Sequence, residues 1–355
     1  MIKENEKGIL TLGSKNVNLE KAWEQAVETK ESRERVRIRN VRRNIRFIED
    51  KDHASISMEY RPKRGIVKTV DLRENGLRQI CDSLGMRSDF VLNSVKYGMP
   101  DLAAKALNRY VMREARKGVP NVPDTRDLIL QDNELVSCVT ERYNDDLGND
   151  EIIKMGMDVE GYHPNMLYQS DGRVTIRYIN TDPLNVPEDT SKLFSGFVLS
   201  NGTFADRALS IKFCLWRFVC DNGLVMGTRG GNLFRQTHMT PTDVPAFYAS
   251  LNGVPEIADK VAEQISQAAG HVLTGPELQT YLDASKARAH LQVADMQKLR
   301  DELTGGENVP AEDMRLYNGL TRWDVINGIT HMAQGYSFDD RMRLEASAGT
   351  LLAAA

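Results

Sequence analysis

The segment RALSIKFCLWRFVCDNGLV, residues 207–225, constrains the fold more than any other part of the chain. Successive side chains of a strand point to opposite faces. If residues 209–220 form a strand, both of its faces are apolar, with Phe213 and Leu215 on one and Cys214 and Trp216 on the other. A strand of this kind belongs inside a sheet that is covered on both sides. The sequence Asp221-Asn222-Gly223 then predicts a turn.

The spacing of Cys214 and Cys220 excludes a disulfide or a shared zinc ion. Six residues of strand separate the two sulfur atoms by roughly 20 Å, whereas a disulfide needs Cα atoms within about 7 Å. The residue that needs an explanation is Arg217, on an otherwise apolar strand. A buried guanidinium must pair with an acid or open onto a cleft that binds an anion, and both interpretations stay open at this point.

Periodicity along the chain predicts an α+β protein. We expect a mixed, mostly antiparallel β core with flanking helices and a helical C-terminal third. The predicted elements are a helix at 18–33, a strand that begins at 36, a hairpin around 61–65, helices at 72–86 and 101–117, β structure to about 240, a helix at 255–270 and one long helix to about 303. Two further helices carry capping signals at Thr321 with Asp324 and at Ser337 with Asp340. The predicted regions are an α+β core with a basic N-terminal segment at 1–240 and helices at 241–355, either separate or packed on that core.

Composition and charge narrow the function classes. The chain has 355 residues, is 41% hydrophobic and has a net charge of −4. Because it contains neither a secretory-type N-terminus nor an apolar run of about 18 residues, we expect a cytoplasmic protein that does not bind membranes. Residues 30–64 carry twelve Lys or Arg and six Asp or Glu, a local charge of +6, so the remainder carries −10. This asymmetry predicts a basic face on an acidic protein.

The basic residues occur in three clusters that are typical of phosphate contacts. They are an arginine face at 36–47, the tip of the predicted hairpin and a stripe on the helix at 101–117. The predicted nucleic-acid-binding residues are Arg37, Arg39, Arg42, Arg43, Arg46, Arg61, Lys63, Arg64, Lys105, Arg109, Arg113 and Arg116. Tyr60 and Tyr110 are candidates for stacking on bases. The alternative is a solvated face on which these arginines pair with local acids.

Catalytic and metal-binding patterns are weak. The six histidines stand in no HxH or HExxH context, and the four cysteines in no CxxC context. The acidic segment ERYNDDLGNDE, residues 141–151, is interpreted as a solvated turn. A metal-dependent nuclease that uses Asp145, Asp146, Asp150 or Glu151 is a minor alternative. We therefore predict a non-enzymatic protein with no metal and no cofactor.

Four motifs, in order, resemble those of the phage- and plasmid-like family called domain of unknown function 932. SGFVLSNGT with RALSIKFCLWRFVCDNGL resembles its hairpin, strand and Arg-x-Val-Cys-x-Asn-Gly turn; LRQICDSLGMRSDFVLN, LVSCVTERYNDDLGNDEII and RLYNGLTRWDVINGITHMAQG are similar to its other motifs. The matching positions, to which we assign structural roles, include Arg217, Cys220, Asn222, Gly223, Trp323 and Asn327. The resemblance implies a protein of a phage, plasmid or mobile element in a bacterial host cell. It implies no reaction and no catalytic residue.

The leading functional prediction is binding of nucleic acid, with single-stranded DNA favoured, in recombination or replication. A homo-oligomer that anneals strands would fit such surfaces. The alternative is an oligomeric structural or interaction protein of a phage that does not bind nucleic acid, in which the alanine-rich helical segments make subunit contacts. The sequence leaves DNA or RNA, and single or double strands, undecided.

Overall fold

A computed structural model describes most of the chain. The described residues are 9–12, 17–117, 125–144, 147–170, 172–187, 189, 192–217, 222–226, 231–241, 243–288, 290–306 and 308–354. The side chains of 9–12, Arg42, 113–117, Asn222 and Arg288 lie outside this description.

The secondary structure confirms the predicted α+β class. The strands are β1 Ile9–Leu12, β2 Arg33–Arg39, β3 Ile45–Asp50, β4 Ser55–Lys63, β5 Ile66–Leu72, β6 Thr125–Gln131, β7 Glu134–Val139, β8 Tyr162–Ser170, β9 Arg173–Leu184, β10 Leu193–Gly202, β11 Arg207–Arg217, β12 Asn222–Val225 and β13 Asn232–Gln236. The helices are α1 Leu19–Glu31, α2 Val41–Asn44, α3 Glu74–Leu84, α4 Ser88–Lys96, α5 Pro100–Lys117, α6 Asn149–Met157, α7 Val244–Leu251, α8 Val254–Gly270, α9 Gly275–Arg288, α10 Val293–Thr304, α11 Arg322–Met332 and α12 Phe338–Leu352.

The first sheet has the strand order β2-β6-β7-β5-β4-β3, and its pairs are antiparallel except β5 with β7. Helices α3, α4 and α5 cover one face of this sheet. Leu77, Val91 and Leu107 of those helices are buried in the same cluster as Phe47 and Met58 of the sheet. The predicted alternation holds in β2, where Ile38 is buried and Arg37 and Arg39 are exposed.

The first sheet curls until its two edge strands meet at one end. β2 and β3 lie at opposite edges, yet only residues 40–44 connect them. The side-chain amide of Asn44 donates to the carbonyl of Arg39 at 2.7 Å, which holds the two strand ends together. Lys68 of β5 lies 3.7 Å from Glu34 of β2, although two strands separate β5 from β2. The apolar face is therefore enclosed, and the polar face is convex.

The second sheet has the order β1-β8-β9-β10-β11-β12, with β13 also paired to β11. Strand β11 pairs with β10 on one side and with β12 and β13 on the other. Residues 213–216 are buried on both faces, as the sequence predicts, whereas Ser210 and Lys212 are half-buried. Phe213 and Leu215 belong to the main core, while Cys214 packs on the opposite face with Met342 and Ala346 of α12. Residues 218–221 of the predicted strand lie outside the described part of the chain.

The C-terminal helices share the core of the second sheet. Val261, Ile329 and Leu344 belong to the same cluster as Phe197 and Phe213. The predicted boundary at 240–241 therefore falls inside one hydrophobic cluster. The capping signals are confirmed: Thr321 and Asp324 form a reciprocal capping box at α11, and the Ser337 side chain accepts from the backbone of Asp340 at α12.

The single long helix predicted to end near residue 303 is wrong. The chain forms two helices there, α9 and α10. His290 adopts a φ of 51° between them, a conformation that no helix interior contains. Gln292 then makes a reciprocal capping box with Asp295 and starts α10 as a new helix.

A small apolar cluster joins the two sheets. Phe204, in the turn between β10 and β11, packs with Ile129, Val136 and Val139 of the first sheet. Gln79 of α3 donates to the Phe204 carbonyl at 2.5 Å. This junction places the polar face of β2 beside the second sheet.

Candidate nucleic-acid interface

The curl of the first sheet brings basic residues from its two edges to one end. Arg39 ends β2, and Arg43 lies in α2, within the short connection that joins the edges. Both side chains are exposed. Residues 36–39, for which the alternation predicts a strand, lie in β2, and residues 45–47 lie in a second strand, β3, that follows a helical turn.

The β4–β5 hairpin adds its tip to this end. Arg61, Lys63 and Arg64 are exposed there, and Gly65 makes the turn with a φ of 86°, as the sequence predicts. Ile45 pairs with Tyr60 in antiparallel register. Residues that precede Ile45 therefore lie alongside residues that follow Tyr60, so the hairpin tip lies beside α2.

Helix α5 contributes Arg109 through a specific contact with the edge strand. The side chain of Asn108 accepts from the backbone N–H of Phe47 at 2.9 Å and donates to the Phe47 carbonyl at 2.7 Å. This contact satisfies backbone groups that an edge strand would leave unpaired. It also places α5, which carries the exposed Arg109, against β3, which carries the exposed Arg46.

We call this surface the basic end; it consists of Arg39, Arg43, Arg46, Arg61, Lys63, Arg64 and Arg109. Within the described part of the chain, none of the seven makes a salt bridge. The nearest acid by register is Glu59, directly opposite Arg46 across the β3–β4 pair. The interpretation that local acids neutralise these residues is therefore not supported at the basic end.

The remaining predicted cations differ. Lys105 pairs with Asp101 at 3.0 Å one helical turn away, and this hydrogen bond lowers the pKa of Asp101. The side chains of Arg42, Arg113 and Arg116 lie outside the described part of the structure.

A second basic feature, the arginine row, runs along the polar face of β2. It consists of Arg33, Arg35, Arg37 and Arg39, every second residue of the strand. The predicted nucleic-acid-binding residues include Arg37 but not Arg33 or Arg35. The alternation that begins at Val36 extends back to Arg33 in the sequence and could have identified them.

One buried carboxylate holds the middle of the arginine row. Asp127 of β6 accepts from Arg35 at 2.6 and 2.9 Å and from Arg37 at 2.8 and 3.0 Å. Burial alone would raise the pKa of Asp127, but the hydrogen bonds from the two guanidinium groups outweigh it and lower that pKa. The Arg37 side chain remains 52% exposed. Since two cations share one anion, the pairing orients the row and leaves it net positive.

The base-stacking prediction fails for one tyrosine. Tyr60 is 1% exposed and points into the core of the first sheet, so it is not available to a nucleic acid. In the strand, position 60 faces inwards with Met58, whereas the flanking Arg61 is exposed. Tyr110 is half-buried and donates to the Gly85 carbonyl at 3.1 Å. The exposed apolar residues near the hairpin tip are instead Ile66 and Val67.

Arg217 is paired, which resolves the question that the sequence leaves open. Its guanidinium donates to Asp189, and the indole N–H of Trp323 donates to the same carboxylate oxygen at 2.7 Å. The guanidinium carbon also lies 5.8 Å from the centre of the Trp323 ring. Two of the motif positions, Arg217 and Trp323, therefore join β11 to α11 through one acid, which supports a structural role.

Gly223 is required by a buried ionic cluster that the sequence did not indicate. A Cβ at this position would collide with the guanidinium of Arg177 and approach the carboxylate of Glu345. Arg177 is fully buried and donates to Asn165 at 3.0 Å, while Arg341 donates to Glu345 at 2.9 Å. The nearest atoms of Arg177 and Glu345 are 3.9 Å apart.

For the other motif positions, the structure describes few contacts or none. Asn327 lies half-buried on α11, where its carbonyl accepts from Thr330 at 2.9 Å. Cys220 lies outside the described residues, and for Asn222 only the backbone, in β12, is described. Cys81, Cys138 and Cys214 are buried free thiols, and burial raises the pKa of each to about 12.

The interpretation of 141–151 as a solvated turn is wrong at its C-terminal end. Asn149, Asp150 and Glu151 form the first turn of α6, and Asp150 is buried against Lys30 at 2.6 Å. Helix α6 begins here because Gly148 precedes it in an extended conformation and acids favour a first turn. Asp145 and Asp146 lie outside the described residues.

The described ranges offer neither a metal centre nor a membrane span. They contain no group of three or more His, Cys, Asp or Glu side chains that could hold a metal ion. Within the same ranges, no helix has the length and apolar character that crossing a membrane requires.

Comparison with known proteins identifies a family for part of the chain. Residues 175–346 match the model of a family described as Domain of unknown function (DUF932). No curated protein and no solved structure matches the chain. The matched region begins in β9 and ends in α12, so it covers much of the second sheet with its helices and excludes the basic end.

Proposed function

From the premise that residues 175–346 are a domain of unknown function 932, a family to which no reaction is assigned, we propose that the protein binds single-stranded nucleic acid in a non-enzymatic role. The basic end and the arginine row form the binding surface. The setting that the family motifs imply, recombination or replication of a phage, plasmid or mobile element, belongs to the same proposal.

The observation that carries the proposal is the convergence of seven exposed cations without a salt-bridge partner among the described residues. Guanidinium and ammonium groups that follow a phosphate backbone give affinity that is independent of sequence and steeply dependent on salt. The overall charge of −4 makes this concentration of positive charge a local property of the first sheet.

The hairpin tip supports a preference for unpaired strands. Ile66 and Val67 are 47% and 52% exposed and follow directly on Arg64 and Gly65. Apolar side chains next to cations can contact unstacked bases while the cations hold phosphates. Guanidinium planes, which the arginine row presents in a fixed orientation, can also stack on bases.

The test is fluorescence anisotropy of a labelled oligonucleotide and its duplex, titrated at about 50 and 200 mM salt. Seven phosphate contacts predict a loss of affinity of roughly a thousandfold or more between these salts. The variant Arg43→Ala, Arg46→Ala, Arg109→Ala removes three contacts and is expected to reduce the slope of log affinity against log salt by about 2 for a single strand.

The matched control removes three exposed lysines from the second sheet and its helices: Lys154→Ala, Lys260→Ala and Lys286→Ala. It changes the net charge by the same amount and is expected to leave the slope as it is. Equal effects of the two triple variants, or no binding at the lower salt, would refute the basic end as a nucleic-acid interface.

The alternative function, an oligomeric structural protein, is favoured by a different surface from the one the sequence predicts. In the alanine-rich segments, Ala268 and Ala348 are buried, whereas the exposed alanines, such as Ala287, Ala294 and Ala353, offer only small apolar side chains. Large apolar side chains are instead exposed along α4 and the turn into α5: Phe90, Tyr97, Met99 and Leu102. Light scattering tests this function. A large mass for the wild type, a monomer mass for the double variant Tyr97→Ser, Leu102→Ser, and no affinity for DNA would favour it.

A further inference from the structure

A polar pocket of about 300 Å³ lies between the two sheets. Its walls come from α1, the start of β2, the first turn of α6, the β8–β9 hairpin and the residue that follows β10. None of the predicted nucleic-acid-binding residues lines it. This volume is at the lower end of the range of small-molecule sites.

The floor of the pocket presents hydrogen-bond acceptors without partners. Asp150 is 7% exposed; one carboxylate oxygen accepts from Lys30, and the other, Oδ1, has no hydrogen-bond partner among the described residues. Gln169 donates through its amide nitrogen to the Ala22 carbonyl at 3.1 Å, while its buried Oε1 also lacks a partner there. Buried acceptors without donors are costly. A ligand that supplies two donors would remove this cost.

The rim of the pocket carries positive charge. Arg33 lines the pocket and lies over the ring of Phe204, 4.6 Å from its centre, which holds the guanidinium in place. The Lys30 side chain, which pairs with Asp150, is 42% exposed. The acid at the rim is the exposed Glu28. Donor groups are therefore favoured at the floor and an anionic group beside Arg33.

We propose that this pocket binds a nucleotide whose base carries an exocyclic amino group. The two hydrogens of that group donate to Asp150 Oδ1 and Gln169 Oε1, and the phosphate lies towards Arg33 and Lys30. Cytosine, adenine and guanine carry such an amino group, whereas thymine has none and presents a carbonyl oxygen where cytosine has its amino group. The site goes beyond strand binding at the basic end, because its occupant is either a free mononucleotide or one base of a bound strand.

The arginine row links the two sites. Arg33 lines the pocket, and Arg39 belongs to the basic end, six residues of strand away. At about 3.3 Å per residue, the row spans roughly 20 Å. A strand that follows the row would bring a base to the pocket, whereas a free nucleotide would bind without involving the basic end.

The first arm of the test titrates the full chain with dCMP, dAMP, TMP and inorganic phosphate by calorimetry. The second arm compares oligo-dC with oligo-dT by anisotropy. Because a well-placed pair of hydrogen bonds discriminates between bases by about tenfold or more, we expect dCMP and dAMP to bind at least about tenfold more tightly than TMP. If only the second arm shows this preference, the ligand is a base of a bound strand.

Three variants make the test specific. Asp150→Asn replaces the carboxylate whose Oδ1 accepts from the base. We expect the ratio of the affinities for dCMP and TMP to fall to about twofold or less. Asp101→Asn is the matched control, because it also breaks a Lys–Asp pair, on α5. Ser170→Trp fills the pocket from the β8–β9 hairpin and is expected to abolish nucleotide binding even if Asp150→Asn fails to fold.

The outcomes separate this proposal from strand binding at the basic end. Both pocket variants are expected to leave the affinity for oligo-dT and its salt dependence unchanged, while the triple arginine variant lowers them. Equal affinity for all three nucleotides and for inorganic phosphate would mean that only phosphate is recognised, and it would overturn the proposal. Absence of any base preference in both arms would overturn it as well.

Discussion

The two sheets differ in where they place arginines that pair with an acid. In the first sheet, Arg35 and Arg37 lie at the protein surface and remain partly exposed, and both pair with the buried carboxylate of Asp127. In the second sheet, Arg177 and Arg341 lie in the interior with Glu345, and all three side chains are at most 5% exposed. The first arrangement holds positive charge at the surface, whereas the second joins α12 to the sheet through buried charges.

The largest expected effect comes from removing the acid of the buried cluster. Glu345→Ala leaves two guanidinium groups buried without their carboxylate, and we expect the free energy of unfolding to fall by about 3–5 kcal/mol. Urea denaturation measures it. The control is Asp339→Ala, which removes an exposed acid paired with Arg207 at 2.7 Å and should cost at most about 1 kcal/mol. Similar losses for the two variants would remove the contrast between interior and surface charge.

A smaller loss is expected when a methyl group is added inside the second sheet. A Cβ on Gly196 would collide with the backbone carbonyl of Tyr178, which cannot move without breaking the β9–β10 pairing. Gly196→Ala should therefore lower the free energy of unfolding by about 3 kcal/mol. The control Gly270→Ala has open space around its Cβ and should be neutral or stabilising. An unchanged melting temperature for Gly196→Ala would contradict the close approach of these two strands.

The acid that holds the arginine row predicts a pH dependence. Because the folded pKa of Asp127 lies below its ordinary value, the ionised form stabilises the fold above the unfolded pKa of about 3.8. That contribution is lost as the pH falls through the lower, folded pKa. Asp127→Asn should cost about 1–2 kcal/mol at pH 7, since the paired arginines are partly exposed.

The measurement is urea denaturation of both proteins from pH 7 to pH 2.5. The difference between wild type and Asp127→Asn should be constant down to about pH 4 and shrink below it. A control is Asp243→Asn, which changes an exposed acid that caps α7 by accepting from Ala246 and leaves the arginine row intact. A difference for Asp127→Asn that grows towards acid pH would contradict a lowered pKa of this carboxyl group in the folded protein.

The smallest effect is expected from removing the helix cap at Thr321, which lies within the matched residues 175–346. Thr321→Ala removes the cap of α11, whose side chain accepts from Asp324 at 3.1 Å, and should lower the free energy of unfolding by about 1 kcal/mol. Thr350→Ala, whose exposed hydroxyl donates to a carbonyl within α12, should change it by less than about 0.5 kcal/mol, the usual range for surface substitutions. Thermal denaturation with both variants distinguishes these values.

Local patterns predicted most elements well, and the errors include both an overlooked local signal and a contact between residues distant in the sequence. The hairpin around Gly65, α8 with its early Pro255 and the cap at Thr321 follow from residues a few positions apart. The division of the predicted long helix into α9 and α10 also has a local signal, the spacing of Gln292 and Asp295, which the predicted single helix overlooks. The burial of Asp150 has no such signal, because Lys30 is 120 residues away.

The sequence by itself determined the periodicity of strands and helices, the two-faced character of β11 and the local excess of positive charge at 30–64. These properties depend on the order of neighbouring side chains. Only the tertiary structure decided which charges meet. The curl of the first sheet brings the residues of the basic end together. Asp127 pairs with arginines 90 and 92 residues away, and Arg217 pairs with Asp189. The physical reason is that an ion pair requires proximity in space, which chain folding sets and residue order does not.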